Sequence, residues 1–266
     1  MIKPRELKKA AVKEGIPQAV VEKDIALSAA LKAISESDLT KHLVFKGGTA
    51  IKKVYFKEAR FSEDLDFSVF ETEKEGCVDM LRDALEGTGV EGIEFEKIEE
   101  EETSAGLKAS VRFIGPLAHP QRIRFDLSFR DNLVEEPTRR RIIDTYGFGP
   151  AESQVMSLEE ILAEKLHALG NRSAVRDLYD VWFLFGKGIE IDEEVLEKKF
   201  AYYDEKYDAK KTIENARKSK ENWMRDLKNL IRELPMYDPL EKIVERRLLE
   251  IHEYCDTADL EQLSVY

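Results

Sequence analysis

The chain has 266 residues, of which 42% are hydrophobic and 36% are charged, and its formal net charge is −12. This length allows one large domain or two modest ones with a real hydrophobic core. The acidic balance gives no general attraction for nucleic acid, so any RNA contact needs a local basic patch. Two distant cysteines, Cys77 and Cys255, exclude a disulfide framework or a zinc site and favour free thiols in a reducing cytoplasm. No apolar run resembles a signal peptide or a membrane span, so we expect a cytoplasmic protein without a membrane partner.

The first part of the chain mixes helical and strand patterns. A helix is predicted after Pro17, where Val20, Leu27 and Leu31 recur at helical spacing. Alternating or continuous apolar runs, separated by Gly, Ser and Pro, predict strands at 43–45, 64–70, 93–97, 107–114 and 122–129. Further helices are predicted at 49–55 and 74–86.

The pattern becomes helical after about residue 150. Ser157 and Glu160 form a capping box that opens a helix running to Gly170. Further helical segments are predicted at 171–186, after 192, at 208–234 and at 239–254. We therefore predict an α+β fold with two parts. Residues 1–150 form an α/β domain with an N-terminal helix and a mostly antiparallel or mixed sheet, and residues 151–266 form a helical domain.

A glycine turn joins the strand at 43–45 to the next helix. Gly47, Gly48 and Thr49 provide backbone N–H groups that can approach phosphate oxygens, and Lys46 adds a positive charge beside them. An ordinary strand-to-helix turn explains the same residues. The spacing of a Walker loop is absent.

Three carboxylates occupy polar faces of predicted strands. Asp64 and Asp66 are two residues apart on one strand, so they point the same way with Cα atoms roughly 7 Å apart. Asp126 lies on the polar face of the strand at 122–129. Together they would suit one or two Mg²⁺ ions, and Asp126 could help to deprotonate an attacking hydroxyl. Taken separately, the Asp64/Asp66 pair is better explained as a solvated strand face, and Asp126 as a surface residue paired with Arg124 or Arg130.

Two helical positions carry charges in unusual surroundings. Lys165 falls inside the apolar stripe of its helix, so it either extends its amine to solvent or reaches a buried anion, such as a triphosphate in a cleft between the two parts. In the next helix Asp180 can pair with Arg176 at i, i+4, whereas Asp177 lies off the stripe and is freer to act.

Basic residues form two groups that could contact an RNA backbone, although a solvated helix face is the commoner explanation of such groups. The histidines show no metal-ligand spacing and receive no role. One basic group lies at 206–232, and the other comprises Arg122, Arg124, Arg130, Arg139, Arg140 and Arg141.

In combination, these motifs resemble the AbiEii/AbiGii nucleotidyltransferase toxins, a family of the polymerase-β-like nucleotidyltransferase superfamily. The resemblance spans about residues 15–185, with no diagnostic motif after residue 190. The matching segments are 21–24, 45–49, 60–67, 125–126, 160–169 and 172–180.

The resemblance implies a polymerase-β-like core that uses Mg²⁺ or Mn²⁺ and a nucleoside triphosphate (NTP). Asp64, Asp66 and Asp126 would bind the metal, and the Gly47–Thr49 turn would hold the triphosphate. Ser62 and Lys165 would assist it, Lys165 and Asp177 would support catalysis, and Arg172 and Arg176 are weaker matches. The family also implies an antitoxin from a neighbouring gene and, for some members, the tRNA 3′ end as acceptor.

We therefore expect a nucleotidyltransferase that moves an NMP from an NTP to a hydroxyl acceptor, with RNA favoured. Two alternatives remain. The NMP goes to a protein or small molecule, which the net charge of −12 favours over a general RNA binder, or the chain is a nucleotide-binding regulatory module without turnover.

Overall fold

The computed structural model describes residues 2–104 and 106–262, and side chains through residue 251. The chain divides into two compact units. The first comprises Met1–Met156 with Asn229–Arg232, and the second comprises Ser157–Lys228 with Glu233–Tyr266.

The first unit combines helices with one eight-stranded sheet. Its helices are α1 (Pro4–Glu14), α2 (Gln18–Ser35), a 3-10 turn (Asp38–Lys41), α3 (Gly47–Ala50), which continues as a π-helix (Ile51–Tyr55), and α4 (Lys74–Leu85). Its strands are β1 (Leu43–Lys46), β2 (Asp64–Val69), β3 (Gly89–Val90), β4 (Ile93–Thr103), β5 (Gly106–Ile114), β6 (Gln121–Ser128), β7 (Thr138–Arg141) and β8 (Glu152–Val155).

The strand order across the sheet is β3-β4-β5-β6-β2-β1-β8-β7. Strand β1 runs parallel to β8, and β2 runs parallel to β6. The remaining neighbours are antiparallel. The predicted α+β fold with a mixed, mostly antiparallel sheet is therefore confirmed.

Alternation along the strands separates a core face from a polar face. Leu65 and Phe67 of β2, and Phe125 and Leu127 of β6, are at most 1% exposed. Helices α2 and α4 pack against the sheet. Burying these apolar side chains forces their neighbours in sequence to the other face, because strand side chains alternate. That rule places Asp64 and Asp66 on the polar face.

A buried ion pair fixes the helix that follows the glycine turn. The Lys53 ammonium lies 2.6 Å from Asp24 Oδ2 on α2, with both side chains 2% exposed. Lys53 also donates to the Ser28 hydroxyl at 2.8 Å, and the Tyr146 hydroxyl donates to Asp24 at 2.5 Å. A buried charge needs such partners, so the cluster constrains where α2 and the π-helix meet.

Several predicted boundaries were wrong. Strand β4 continues to Thr103 because it pairs with β5 along that length. Strands β7 and β8 were not predicted, since both are short and every residue of β7 is exposed. Because β8 pairs with β1, the first unit extends to Met156 rather than to residue 150.

The second unit is helical among its described residues. Its helices are α5 (Leu158–Asn171), α6 (Val175–Gly186), α7 (Glu193–Tyr202), α8 (Ala209–Lys218), a 3-10 turn (Ser219–Asn222), α9 (Trp223–Leu227) and α10 (Tyr237–Gln262). A single helix over 208–234 was therefore wrong. The chain leaves the helical pattern because Asn229–Arg232 joins the first unit, where the Phe61 N–H donates to the Leu230 carbonyl at 2.9 Å.

No helix within the described residues is both long and apolar enough to cross a bilayer. Cys77 is a buried free thiol, and burial raises its pKa to about 11, which makes it a poor nucleophile. The side chain of Cys255 lies outside the described residues.

Candidate active site

The predicted carboxylates meet on the polar face of the sheet. Asp66 of β2 is the register partner of Lys46 on β1 and of Asp126 on β6. Residues directly opposite each other in neighbouring strands share a face. Asp64 follows the same face two residues earlier along β2. The structure thus brings together three aspartates from two central, parallel strands.

A cavity of about 560 Å³ lies over these aspartates. Strand β4 provides an acidic wall that the sequence interpretation missed, and β5 and β6 add two cations. The lining includes Asp64, Asp66, Asp126, Glu99, Glu100, Glu101, Lys108 and Arg124. The alternating pattern of β5 and β6 could have indicated the cations, but their register with β2 could not be read from it.

Gly47 lies directly against Asp66. Its φ is +74°, a conformation that residues with a side chain rarely adopt, and an added Cβ would overlap the Asp66 carboxylate, lying only 3.1 Å from its Cγ. The glycine turn and the carboxylate pair, which the sequence suggested separately, therefore form one feature.

Thr49 holds this turn against β2. Its hydroxyl donates to the Asp64 carbonyl at 2.5 Å, and the side chain is fully buried. The hydroxyl thus has a structural contact, so a phosphate would meet the backbone here. Ser62, 8% exposed, lies two residues before β2, and Lys46 is half-buried at the end of β1.

The chemistry of the aspartates fits a hard divalent cation. Carboxylate oxygens are preferred ligands of Mg²⁺, which usually takes only one or two protein carboxylates and completes its shell with water and substrate phosphates. No group of three or more His, Cys, Asp or Glu residues in the described part of the chain is close enough to form a complete metal site. Asp126 is exposed, consistent with an open site that a substrate completes.

In the second unit, Lys165 reaches buried carboxylates. Its ammonium lies 2.8 Å from Asp177 Oδ1 and 3.0 Å from Asp180 Oδ2, both on α6. Arg172 donates to Asp177 Oδ2 at 2.9 Å. Of the two expectations for this lysine, a buried anion is the one observed, and the anion comes from the protein itself. Arg176 lies on α6 with the two aspartates and is half-buried.

The expectation that Asp177 is free to act, because it lies off the apolar stripe of its helix, was wrong. Asp177 is 3% exposed and bonded to two cations. Burial acts to raise its pKa, but the charge and hydrogen bond of Lys165, followed by those of Arg172, outweigh burial and lower the pKa below the ordinary value.

Several members of the two basic groups already have acidic partners. Arg217 bonds Glu241 and Glu245, and Lys220 bonds Asp238. In the other group, Arg122 bonds Glu99 and Arg139 bonds Glu152. These residues form charge-balanced surfaces, whereas Arg124 lines the cavity over the aspartates.

Comparison with known proteins places the chain in a family of nucleotidyltransferases. The family model described as "Nucleotidyl transferase AbiEii toxin, Type IV TA system" matches residues 29–252. The chain belongs to the AbiEii nucleotidyltransferase toxin family. It is therefore a nucleotidyltransferase, as predicted. The match continues well beyond residue 190, where the motif resemblance ended.

Solved structures agree on the fold of this AbiEii-family chain. MenT4, a nucleotidyltransferase toxin from Mycobacterium tuberculosis H37Rv, is 21% identical with a TM-score of 0.76, covering 95% of this chain and 90% of MenT4. A proposed nucleotidyltransferase from H. pylori is 18% identical with a TM-score of 0.61, covering 91% and 99% of the two chains. A search of curated proteins found no match.

Gly47→Ala should inactivate the enzyme, because the new Cβ displaces the Asp66 carboxylate. We expect turnover to fall on the order of 10²-fold, the typical effect of a 1 Å displacement at a reacting centre. Gly87→Ala is the matched control, since Gly87 has φ +72° with nothing within 4 Å of an added Cβ. Both variants carry a backbone cost of about 1–2 kcal/mol in unfolding free energy. Equal activity in the two variants would contradict the prediction.

The lowered pKa of Asp177 predicts a pH-dependent stability of the helical unit. In the unfolded chain this carboxyl titrates at about pH 3.9. Since the folded pKa is lower, Asp177 stabilises the fold above that pH, and this contribution disappears as the pH falls through the folded pKa.

Urea unfolding between about pH 2 and pH 7 should therefore show a smaller pH dependence in Asp177→Asn than in the wild type. The exposed Glu197→Gln, with the same change in charge, should keep the wild-type slope. An unchanged slope in Asp177→Asn would refute the assignment.

Proposed function

We propose that this nucleotidyltransferase transfers an NMP from an NTP to a hydroxyl group of RNA, with the tRNA 3′ end as the first acceptor to test. The acceptor oxygen forms a bond to the α-phosphorus, the bond from that phosphorus to the β-phosphate bridging oxygen breaks, and pyrophosphate leaves. The supporting observation is the group of three aspartates on one sheet face, directly beside the Gly47 turn.

Different residues of the first unit would bind the triphosphate, accept a proton and hold the metal ion. Backbone N–H groups of the Gly47–Thr49 turn, with Lys46 and Ser62, would hold the triphosphate. Asp126, the exposed member of the three aspartates, would accept the proton of the attacking hydroxyl. Asp64, Asp66 and Asp126 would hold Mg²⁺ or Mn²⁺, and such an ion stabilises the charge of the transferring phosphoryl group when bound.

The second unit would contribute Lys165 and Asp177 to the reaction. The contact between them supports a shared role, with Asp177 orienting the Lys165 ammonium toward phosphate. Arg172 would hold Asp177 in place, and Arg176 would add a further positive charge.

The biological role would be that of a toxin in the cytoplasm. The type IV toxin–antitoxin description of the family implies an NTP substrate and an antitoxin partner. We propose that this antitoxin is encoded by a neighbouring gene and that tRNA is the cellular target.

Asp64→Asn should abolish transfer, because the amide removes one of the paired negative charges while preserving shape. The assay supplies each α-labelled NTP with Mg²⁺ and either total RNA or cell protein. We expect label in RNA and a loss on the order of 10³-fold in Asp64→Asn. Asp83→Asn, an exposed change outside the cavity, should retain full activity.

Three outcomes would redirect the proposal. Undiminished transfer by Asp64→Asn would exclude the aspartate site. Label confined to protein would favour the alternative acceptor. Tight NTP binding with no transfer to either extract would favour a regulatory module.

Lys165→Met should lower turnover, since methionine keeps much of the length of the side chain but removes the charge. It should also lower the free energy of unfolding by about 3–5 kcal/mol, because Asp177 and Asp180 lose their buried partner. We expect about a 10²-fold fall in kcat with RNA as the acceptor. Lys218→Met, at an exposed lysine paired with Glu214, provides the control. Equal activity in both variants, with unchanged circular dichroism, would remove Lys165 from the mechanism.

A further inference from the structure

The cations of the polar sheet face fall into two kinds. Arg112 lies 2.5 Å from Glu96, and Arg122 bonds both carboxylate oxygens of Glu99 at 2.5 and 3.0 Å. Lys108 and Arg124 are also exposed. Neither has an ion-pair partner among the residues that the structure describes. What distinguishes these two cations from other exposed lysines and arginines is that they line the cavity over the aspartates.

These two cations are positioned by the same strand register that gathers the aspartates. Lys108 on β5 is the register partner of Asp126, and Arg124 on β6 is the register partner of Asp64. Both line the 560 Å³ cavity. As diagonal neighbours on adjacent antiparallel strands, their Cα atoms are roughly 7–8 Å apart.

Strand order separates these cations from the glycine turn. The sequence of strands is β5-β6-β2-β1, and Gly47 directly follows β1. Lys108 therefore lies beyond the aspartates from the proposed triphosphate site. A phosphate bound by Lys108 would therefore lie on the side of the aspartates that faces away from the glycine turn.

The acidic wall of the cavity is largely neutralised. Glu99 is bonded to Arg122, and Glu100 is bonded to Arg82. Glu101 is exposed and is the register partner of Lys108. The remaining carboxylates of the lining are Glu101 and the three aspartates, so Lys108 and Arg124 would act as individual phosphate contacts and not through a net positive field.

We propose that Lys108 and Arg124 bind backbone phosphates of the RNA acceptor and set its position relative to Asp126. This inference rests on the proposed function, because it names the residues that recognise its acceptor. It predicts a local electrostatic contact whose affinity falls with salt.

The test measures binding of labelled bulk tRNA at several salt concentrations, without NTP. Lys108→Ala/Arg124→Ala should bind about tenfold or more weakly, because two phosphate contacts are lost. The slope of log K against log salt should become shallower by about 1.4 to 1.8, since each contact contributes about 0.7 to 0.9. NTP affinity should remain unchanged.

The matched control is Lys97→Ala/Arg112→Ala, which removes the same charge from exposed positions on β4 and β5 outside the cavity lining. It should keep the wild-type affinity and slope. Equal losses in both double variants would reduce the effect to net charge and overturn the inference. So would a loss of NTP affinity with unchanged tRNA binding, which would assign the cations to the triphosphate.

Removing a negative charge near Lys108, instead of a positive one, provides an independent check. Glu101→Gln should tighten tRNA binding by about two- to fivefold, because it removes the carboxylate opposite Lys108. Glu94→Gln, at an exposed position elsewhere on β4, should have no such effect. Equal effects of these variants would overturn the proposed local contact.

Failure of this inference can be distinguished from failure of the proposed function. If wild-type protein transfers label to RNA and the Lys108→Ala/Arg124→Ala variant does so with an unchanged KM for tRNA, the proposed function stands and this inference falls. If wild-type protein binds tRNA but shows no Asp64-dependent transfer to it, the proposed function falls, and the acceptor role of the cations falls with it.

Discussion

The candidate site depends on the close approach of Gly47 to Asp66. Antiparallel pairing of β1 with β2 brings the end of one strand beside the carboxylate of the other. An added Cβ at position 47 would occupy the place of that carboxylate. The buried Thr49 hydroxyl then fixes the turn to the Asp64 backbone. Turn, strand pairing and carboxylate position are therefore a single constraint, and changing one displaces the others.

Local compensation of charge explains how an acidic chain can serve polyanionic substrates. Many cations on the sheet and helices are bonded to nearby carboxylates, so they add little long-range field. Lys108 and Arg124 differ because they face the cavity without such partners among the described residues. The cavity itself is lined by more carboxylates than cations, so the two cations provide local contacts in a site that is acidic like the whole chain.

The helical unit uses charge in a different way. Lys165 is held by Asp177 and Asp180 in a setting where an unpaired charge would be costly. Such a network fixes the position of the lysine more firmly than an exposed side chain could be fixed. The same network accounts for the lowered pKa of Asp177. Structural and chemical roles are thus compatible for this pair.

The sequence by itself determined the fold class, the strand faces and the nucleotidyltransferase family, because alternation and motif order are local properties of the chain. It indicated Asp64 and Asp66 as neighbours, since two residues on a strand always share a face. Only the tertiary structure decided that Asp126 lies opposite Asp66, that Gly47 contacts Asp66, and that Lys108 joins them. Those facts depend on strand register and order, which link residues far apart in the chain. For the same reason β7 and β8 could not be predicted, because their pairing, rather than their composition, makes them strands.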